Sequence, residues 1–411
     1  MALRRRKRRN WRQIAVNAAA ALIAIGLALP FVIPLKPWFP NLEAQLSAAV
    51  GEPVRFNSLR AGLLPRPHLE ADSITIGRSG EITVAHARLY PELPTLREPT
   101  QFFKSIEADD VSASRNAVLQ FLGEHSREGG LQAIRLGHIR ATHVKLGVFD
   151  GKLGDLELDA TVDRDNQLLN LVLAGSDQRS RLEVTPANGT TQVTFSAQDW
   201  KPLAGPQIPF ERVFLQGVLT RDALAVSEFT AGVYGGDIRG GMEINWANGW
   251  SVTGRARVTR LNLYPMMQVL QTDLPVHGTF ESELRFTGAA ASPGQLLDSM
   301  KFDGKFNIVN GVLDEIDFSR VIQGAGRNGV RGGQTQFDQF SGSLQTGNGY
   351  RFSGLRLTHG MLAVTGAINV APGEQLSGSM NVELKSTVGI LGSAVQMGGA
   401  LGEPVLMPSA R

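Results

Sequence analysis

Beyond residue 50 the chain alternates apolar and polar positions with a period of two, the spacing of half-buried strands. Val252, Gly254, Ala256 and Val258 alternate with Thr253, Arg255, Arg257 and Thr259. Phe280, Leu284 and Phe286 alternate with Glu281, Glu283 and Arg285, and Phe302, Gly304, Phe306 and Ile308 alternate with Lys301, Asp303, Lys305 and Asn307. One face is apolar and the other charged, which predicts antiparallel strands wet on one side only. Earlier in the chain, extended structure is predicted from Pro53 to Phe56. Leu69, Ala71, Ile74 and Ile76 follow a turn at Pro65 and Pro67, and the pattern continues from Ile82 to Leu93. Val144, Leu146 and Val148 share a face, as do Leu156, Leu158, Ala160 and Val162; Asp165 and Asn166 supply a hairpin turn before Leu168 to Leu173.

Short helices are predicted at five places. Leu42, Leu46, Ala49 and Val50 fall at helical spacing between Asn41 and Gly51, and this helix either rests on a membrane surface or covers the first strands. The others are Asn116 to Phe121, Pro265 to Leu270, Pro293 to Met300 with Ser292 as cap, and Asp314 to Gln323 ahead of Gly324. Helices so short and few cannot cover so much sheet.

Gln13 to Leu35 breaks the pattern, because no charge interrupts its Ala, Leu, Ile and Val. A helix of this length spans about 35 Å, enough to cross a bilayer core. Seven cations (Arg4, Arg5, Arg6, Lys7, Arg8, Arg9, Arg12) precede it, whereas Lys36 is the only charge close behind. The bias keeps residues 1–12 in the cytoplasm as a basic tail and puts the body on the far side of the membrane. Arg9, Trp11 and Arg12 flank one end of this predicted anchor, and Lys36 and Trp38 the other. A cleaved signal peptide has a shorter apolar core and ends at a small-residue site in polar sequence.

The chain of 411 residues has no cysteine, so it has no disulfide and no thiolate chemistry. Its charge of +3 comes from the tail. Removing those seven cations from 41 leaves 34 basic against 38 acidic residues, so nucleic acid is not an expected partner. Glycine is abundant, at 46 residues, in keeping with strands and tight turns.

Candidate chemistry does not assemble. Gly324 to Gly329 is formally G-x-G-x-x-G, yet it follows a helical stretch and runs into Gly332 and Gly333, so it reads as a loop. Asp163, Arg164, Asp165 and Asn166 begin like a calcium loop but have Leu168 where the sharp turn needs Gly. His138 and His143, the nearest histidine pair, are an odd number of residues apart, which on a regular strand sends them to opposite faces. Neither G-x-S-x-G nor H-E-x-x-H occurs. No catalytic, cofactor or metal residue is assigned, and an enzyme is not expected.

Several motifs resemble the AsmA-like proteins of the Gram-negative envelope. Val50 to Val54 and Leu64 to Leu69 resemble that family's early strand and P-x-P-x-L turn. Tyr234 to Gly240 resembles its Y-G-G-x-x-x-G motif. Phe302 to Ser319, with Gly304, Phe306, Ile308, Asn310, Gly311, Ile316 and Asp317, resembles the core of its C-terminal domain, and Met397 to Pro404 resembles its closing motif, with Ala400 for the usual Thr. The resemblance implies a mainly β chain in which one transmembrane helix precedes an elongated, twisted antiparallel β-sheet trough. Residues 36–212 would form the N-terminal groove region and residues 213–411 the C-terminal β domain. It implies phospholipids and the inner membrane as partners, other envelope proteins or self-association beside them, and a role in lipid transport and outer-membrane homeostasis. Alternation alone leaves a stack of β-sandwiches open, and with it a scaffold for outer-membrane protein assembly. Parity places Phe280, Leu284, Phe286, Phe302, Phe306 and Ile308 on the apolar side, where acyl chains would lie.

Overall fold

The computed structural model describes residues 42–408 except 45, 48–51, 63, 65, 93, 96–100, 115, 118–133, 149–150, 164–166, 188–189, 203–205, 271, 273, 275, 324–328 and 388. The predicted anchor at 13–35, its flanking residues Arg9, Trp11, Arg12, Lys36 and Trp38, most of the helix expected at 116–121 and most of the glycine loop lie outside the described residues. The protein is mainly β with few helices. It divides into two compact units, Met1–Ser176 and Asp177–Arg411. The boundary read from sequence, between 212 and 213, falls inside a strand of the second unit.

In the first unit, β1 (Val54–Arg55) and β2 (Ser58–Gly62) pair with successive parts of β3 (His68–Ile76). The order then runs through β4 (Ile82–Pro91), β5 (Gln101–Ala113), β6 (Ile134–Val148), β7 (Gly151–Val162) and β8 (Leu168–Gly175). Every pair is antiparallel except β5 and β6, which are parallel. The expectation of a purely antiparallel sheet is therefore corrected to a mixed one. A parallel neighbour requires the chain to cross back before re-entering the sheet, and the residues between Ala113 and Ile134 provide that length.

The second unit is an antiparallel meander: β9 (Ser180–Ala187), β10 (Thr190–Trp200), β11 (Phe210–Leu219), β12 (Ala223–Val233), β13 (Gly236–Asn245), β14 (Trp250–Asn262), β15 (Val276–Ala290) and β16 (Lys301–Asp314). It continues with β18 (Gln334–Gly347), β19 (Gly349–His359), β20 (Leu362–Val370), β21 (Leu376–Ser386), β22 (Gly389–Ala400) and β23 (Glu403–Pro408). The two-residue β17 (Val330–Arg331) lies between β16 and β18 in sequence yet pairs with β23. That pairing brings the last strand back to the link between β16 and β18, so the C-terminal stretch of sheet is rolled on itself.

Strict period-two alternation fails along a crease in each unit. Ser73 in β3, Asp110 in β5, His143 in β6 and Asp155 in β7 have left-handed backbones, with φ between 50° and 58°. Each adds a residue to the outward side of its strand, so inward positions are three apart: Ala71 and the half-buried Ile74 in β3, and Ala141 and Val144 in β6, both buried. The slips lie side by side, with Asp109 paired to Thr142 and Ser112 to Lys145, so register survives the crease. In the second unit Asp199, Arg260 and Asn310 do the same, leaving Val258 and Leu261 on one face.

The helices depart from their sequence patterns in length and start. Residues 42–44 and 46–47 are helical, and Leu42 and Leu46 pack on Phe56, Leu59 and Ala71; of the two roles open to this segment, covering the first strands is the one realised. Glu43 accepts from the Phe56 N–H at 3.1 Å and Ser47 from the Val54 N–H at 2.8 Å, which ties the segment to β1. Helix α1 (Leu263–Leu270) begins two residues before Pro265. Only Pro293–Gln295 of the next expected helix forms, as a 3-10 turn, and the Ser292 side chain makes no capping bond. β16 runs on to Asp314, so α2 (Phe318–Ile322) starts late, capped by Asp317, whose carboxylate accepts from the Arg320 N–H at 3.0 Å.

The largest core lies in the rolled stretch. Phe306, Ile308, Phe337, Leu355, Leu357, Val364, Val382, Val395 and Leu406 are buried together with Phe318 and Val321 of α2. Thr335 fastens the plug: its hydroxyl donates to the Ile316 carbonyl at 2.7 Å and accepts from the Phe318 N–H at 3.2 Å.

Candidate functional site

The six residues singled out by parity share one face. Phe280 is opposite Ile308, Phe286 opposite Phe302, Leu284 opposite Gly304, and Phe306 opposite Ser282. Their surroundings differ. Phe306 and Ile308 are 8% and 4% exposed within the rolled core, and Phe306 meets Phe340 and Phe352 edge-on at 5.5 and 6.1 Å between ring centroids. Phe280, Leu284, Phe286 and Phe302 are half-buried, and the Phe286 and Phe302 rings lie 6.5 Å apart. Glu283, Arg285, Lys301, Asp303 and Lys305 face the other way and are exposed.

The half-buried row extends further than those six. Phe195, Leu215 and Phe229 lie opposite one another in β10, β11 and β12, and the row continues through Gly240, Ala256 and Leu284. Phe195, Leu215 and Phe229 were missed, although Val193, Phe195 and Ala197 carry the same alternation. In the first unit the equivalent row is Leu59, Ala71, Ala87, Ala108, Ala141, Leu158 and Leu173, each opposite the next. The segment bearing Leu42 and Leu46 lies over the Leu59 end, while Leu158 and Leu173 are half-buried.

The outward face of the first unit is an ordered ladder of charge. Arg60, Glu70, Arg88, Glu107, Arg140 and Asp159 stand opposite one another across β2 to β7, alternating in sign at each step. Arg88 binds Glu70 at 3.2 Å and Arg140 binds Asp159 at 3.3 Å. Cross-strand opposite charges each stabilise modestly, so this face is arranged to stay in water.

Every described histidine has a carboxylate beside it. The pairs are His68 with Glu70 (3.2 Å), His86 with Asp72 (2.7 Å), His138 with Asp159 (3.3 Å), His143 with Asp109 (2.8 Å), His359 with Asp338 (3.2 Å), and His277 with Asp314. The crease overturns the parity argument for His138 and His143. The added residue at His143 returns it to the outward side, where His138 also lies, but each binds a different carboxylate. Hydrogen bonds from Thr142 and His143 hold the Asp109 carboxyl below its ordinary range, and Asp109 in turn raises the His143 pKa.

Ser58, Asp72 and His86 have the composition of a hydrolytic triad but the wrong order. Asp72 sits between the other two, accepting from the Ser58 hydroxyl while binding His86, so the imidazole is not placed to take the serine proton. The Ser58 hydrogen bond is the main cause that holds the Asp72 carboxyl low. Among the described residues no group of three His, Asp or Glu gathers to hold a metal ion.

The Tyr234–Gly240 motif proves architectural. Tyr234 and Gly235, with φ of 48° and 75°, form the two-residue turn between β12 and β13, a type that needs left-handed backbones at both positions. A Cβ at Gly240 would collide with the Arg255 carbonyl, so glycine lets the strand lie close. Asp237, its side chain 12% exposed, binds both Arg212 and Arg260. Burial pushes this carboxyl up, but Arg212 first, then Arg260 and Arg239, outweigh it and hold the pKa below the usual carboxylate range.

No family model, no curated protein and no solved structure matches this chain. Among the described residues no helix is long and apolar enough to cross a membrane. The fold and site define a mainly β protein whose mixed sheet carries an apolar face, partly filled by its own chain, and an opposite face of charge.

Proposed function

We propose that this protein is an AsmA-like, inner-membrane-anchored envelope protein that shields phospholipid acyl chains along its apolar β face, in the periplasm. Residues 13–35 serve as the anchor, and the protein contributes to lipid transport and outer-membrane homeostasis. The observation that carries the reading is the half-buried row Phe195, Leu215, Phe229, Leu284, Phe286 and Phe302, with the charged side chains of the same strands pointing away. An apolar sheet face requires a covering layer, and acyl chains supply one at roughly 0.8 kcal/mol per methylene buried. Recognition of this kind is nonpolar and distinguishes poorly between headgroups. No side chain is assigned a catalytic role.

A second reading has its own support. The rolled stretch β16–β23 is filled by α2 and by Phe306, Ile308, Phe337 and Phe340, so that stretch suits a scaffold that contacts other envelope proteins better than a lipid carrier. A phospholipid with a photoreactive diazirine at the end of its acyl chain separates the two in cells. Capture should be strong with full-length protein and should map to peptides bearing Leu284, Phe286 and Phe302. Labelling confined to residues 13–35, with none on the sheet, would leave the scaffold reading in its place.

A further inference from the structure

The outward faces of the two units are charged on different plans. In the first, every cross-strand step of the ladder from Arg60 to Asp159 pairs opposite signs. In the second, like charges face each other: Arg239 of β13 is opposite Arg257 of β14, and Arg255 of β14 is opposite Arg285 of β15. Like charges in directly opposed positions destabilise a sheet, so this arrangement works against folding unless something anionic meets it. Three nearby carboxylates have partners of their own, while Glu243 lies opposite Thr253 and Asp303 directly opposite Arg285. Glu283 binds Arg257, Asp303 accepts from Gln345 at 3.4 Å, and Asp237 holds Arg212 and Arg260. Arg255 and Arg285 are exposed and have no ion pair among the described residues. Gly241, opposite Arg255, raises no side chain beside it.

We propose that the outward face of β13–β15 docks on an anionic bilayer surface, with Arg239, Arg255 and Arg285 binding lipid phosphates. Strands stand about 4.8 Å apart and alternate residues about 6.8 Å apart along a strand, so the three arginines rise from neighbouring outward positions of one sheet face. Planar guanidinium groups pair with phosphate oxygens through two parallel hydrogen bonds, and several on one face can engage neighbouring headgroups together. An acidic peptide fits less well. β14 has both edges occupied by β13 and β15, so an added strand has no backbone to pair with. This surface is on the side opposite the apolar row and does not depend on it.

The chain has no cysteine, so a fluorophore can be placed by the single change Thr253→Cys, at an exposed outward position of β14. The full-length protein, held in a neutral amphipathic polymer, is titrated with vesicles carrying a headgroup quencher. Quenching should appear with phosphatidylglycerol vesicles, be weak with pure phosphatidylcholine, and fade in 0.5 M salt. Arg255→Gln with Arg285→Gln should weaken it about five-fold for each arginine removed, roughly twenty-five-fold in all, whereas Arg60→Gln with Arg88→Gln should leave it unchanged. The first double variant relieves a like-charge contact, so its melting temperature should be equal to or above that of the parent, which separates lost docking from lost folding. Equal quenching by both vesicle types, or by both double variants, overturns the proposal. Soluble polyglutamate that shields the label while anionic vesicles do not quench it overturns the bilayer in favour of an acidic polypeptide. Because the label reports the outward face, a failed acyl-chain capture leaves this result standing, and the reverse.

Discussion

Within the second unit, the stretches β9–β15 and β16–β23 are built from the same alternating strands and handle their apolar face in opposite ways. Phe286 of β15 and Phe302, at the entry of β16, lie opposite each other and remain half-buried. Phe306, four residues further along β16, is in the core against Phe340 and Phe352. The local pattern is identical, so the difference comes from closure. Pairing of β17 with β23 rolls the sheet, and α2 fills the inside. A period of two chooses the side of the sheet a residue faces. It is silent on what lies above that side.

The sharpest way to break the comparison is to remove one ring from each stretch. Phe337, at 2% exposure, should lose about 3–5 kcal/mol on Phe337→Ala because a cavity is left in a closed core. Phe286→Ala should cost about 1 kcal/mol, since a half-buried ring leaves no cavity. Urea unfolding followed by tryptophan fluorescence measures both, and equal losses would mean that the two stretches are closed alike.

The closure itself rests on Thr335. Thr335→Val keeps the shape but strands the Ile316 carbonyl and the Phe318 N–H in the core, at a cost of about 2–3 kcal/mol. Hydrogen exchange should show α2 opening before β18 does.

Asp237 tests the open stretch. Asp237→Asn removes the charge shared by Arg212 and Arg260 and should cost about 1–2 kcal/mol at pH 7. The sign with pH follows from the depressed folded pKa. Stability from this carboxylate is complete above its unfolded value near 3.8 and is lost as pH falls through the lower folded value. The parent should therefore lose more stability than the variant between pH 5 and pH 2, and parallel losses would remove Asp237 from the account.

The smallest effect belongs to the first unit, where the His143–Asp109 pair is exposed. His143 titrates above its ordinary 6.5 because Asp109 favours the charged imidazole. Its contribution is present below the unfolded pKa and disappears as pH rises through the raised folded value, while that of Asp109 disappears as pH falls through its lowered one. An NMR titration should find the His143 pKa raised, and Asp109→Asn should return it toward 6.5. Little change in melting temperature is expected, as for any exposed pair.

Much of the strand content was legible because residues two apart on a pleated strand face the same way, whatever the rest of the protein does. The facing of Phe280, Leu284, Phe286, Phe302, Phe306 and Ile308 followed from that, as did the hairpin between β7 and β8, where Asp163 accepts from the Gln167 N–H at 2.9 Å. The creases were not legible. His143, Asp199 and Asn310 adopt left-handed backbones that their residue types tolerate without requiring, and a single such residue inverts every parity beyond it.

By itself the sequence determined which residues prefer strands, which side chains share a face, and the absence of thiol chemistry, because these depend on composition and on neighbours in the chain. Only the tertiary structure decided which apolar side chains are covered, that β5 and β6 run parallel, that α2 plugs a rolled sheet, and that charges alternate across one outward face and repeat across the other. Those outcomes depend on register between strands distant in sequence. A crease keeps its register only because the neighbouring strand creases beside it.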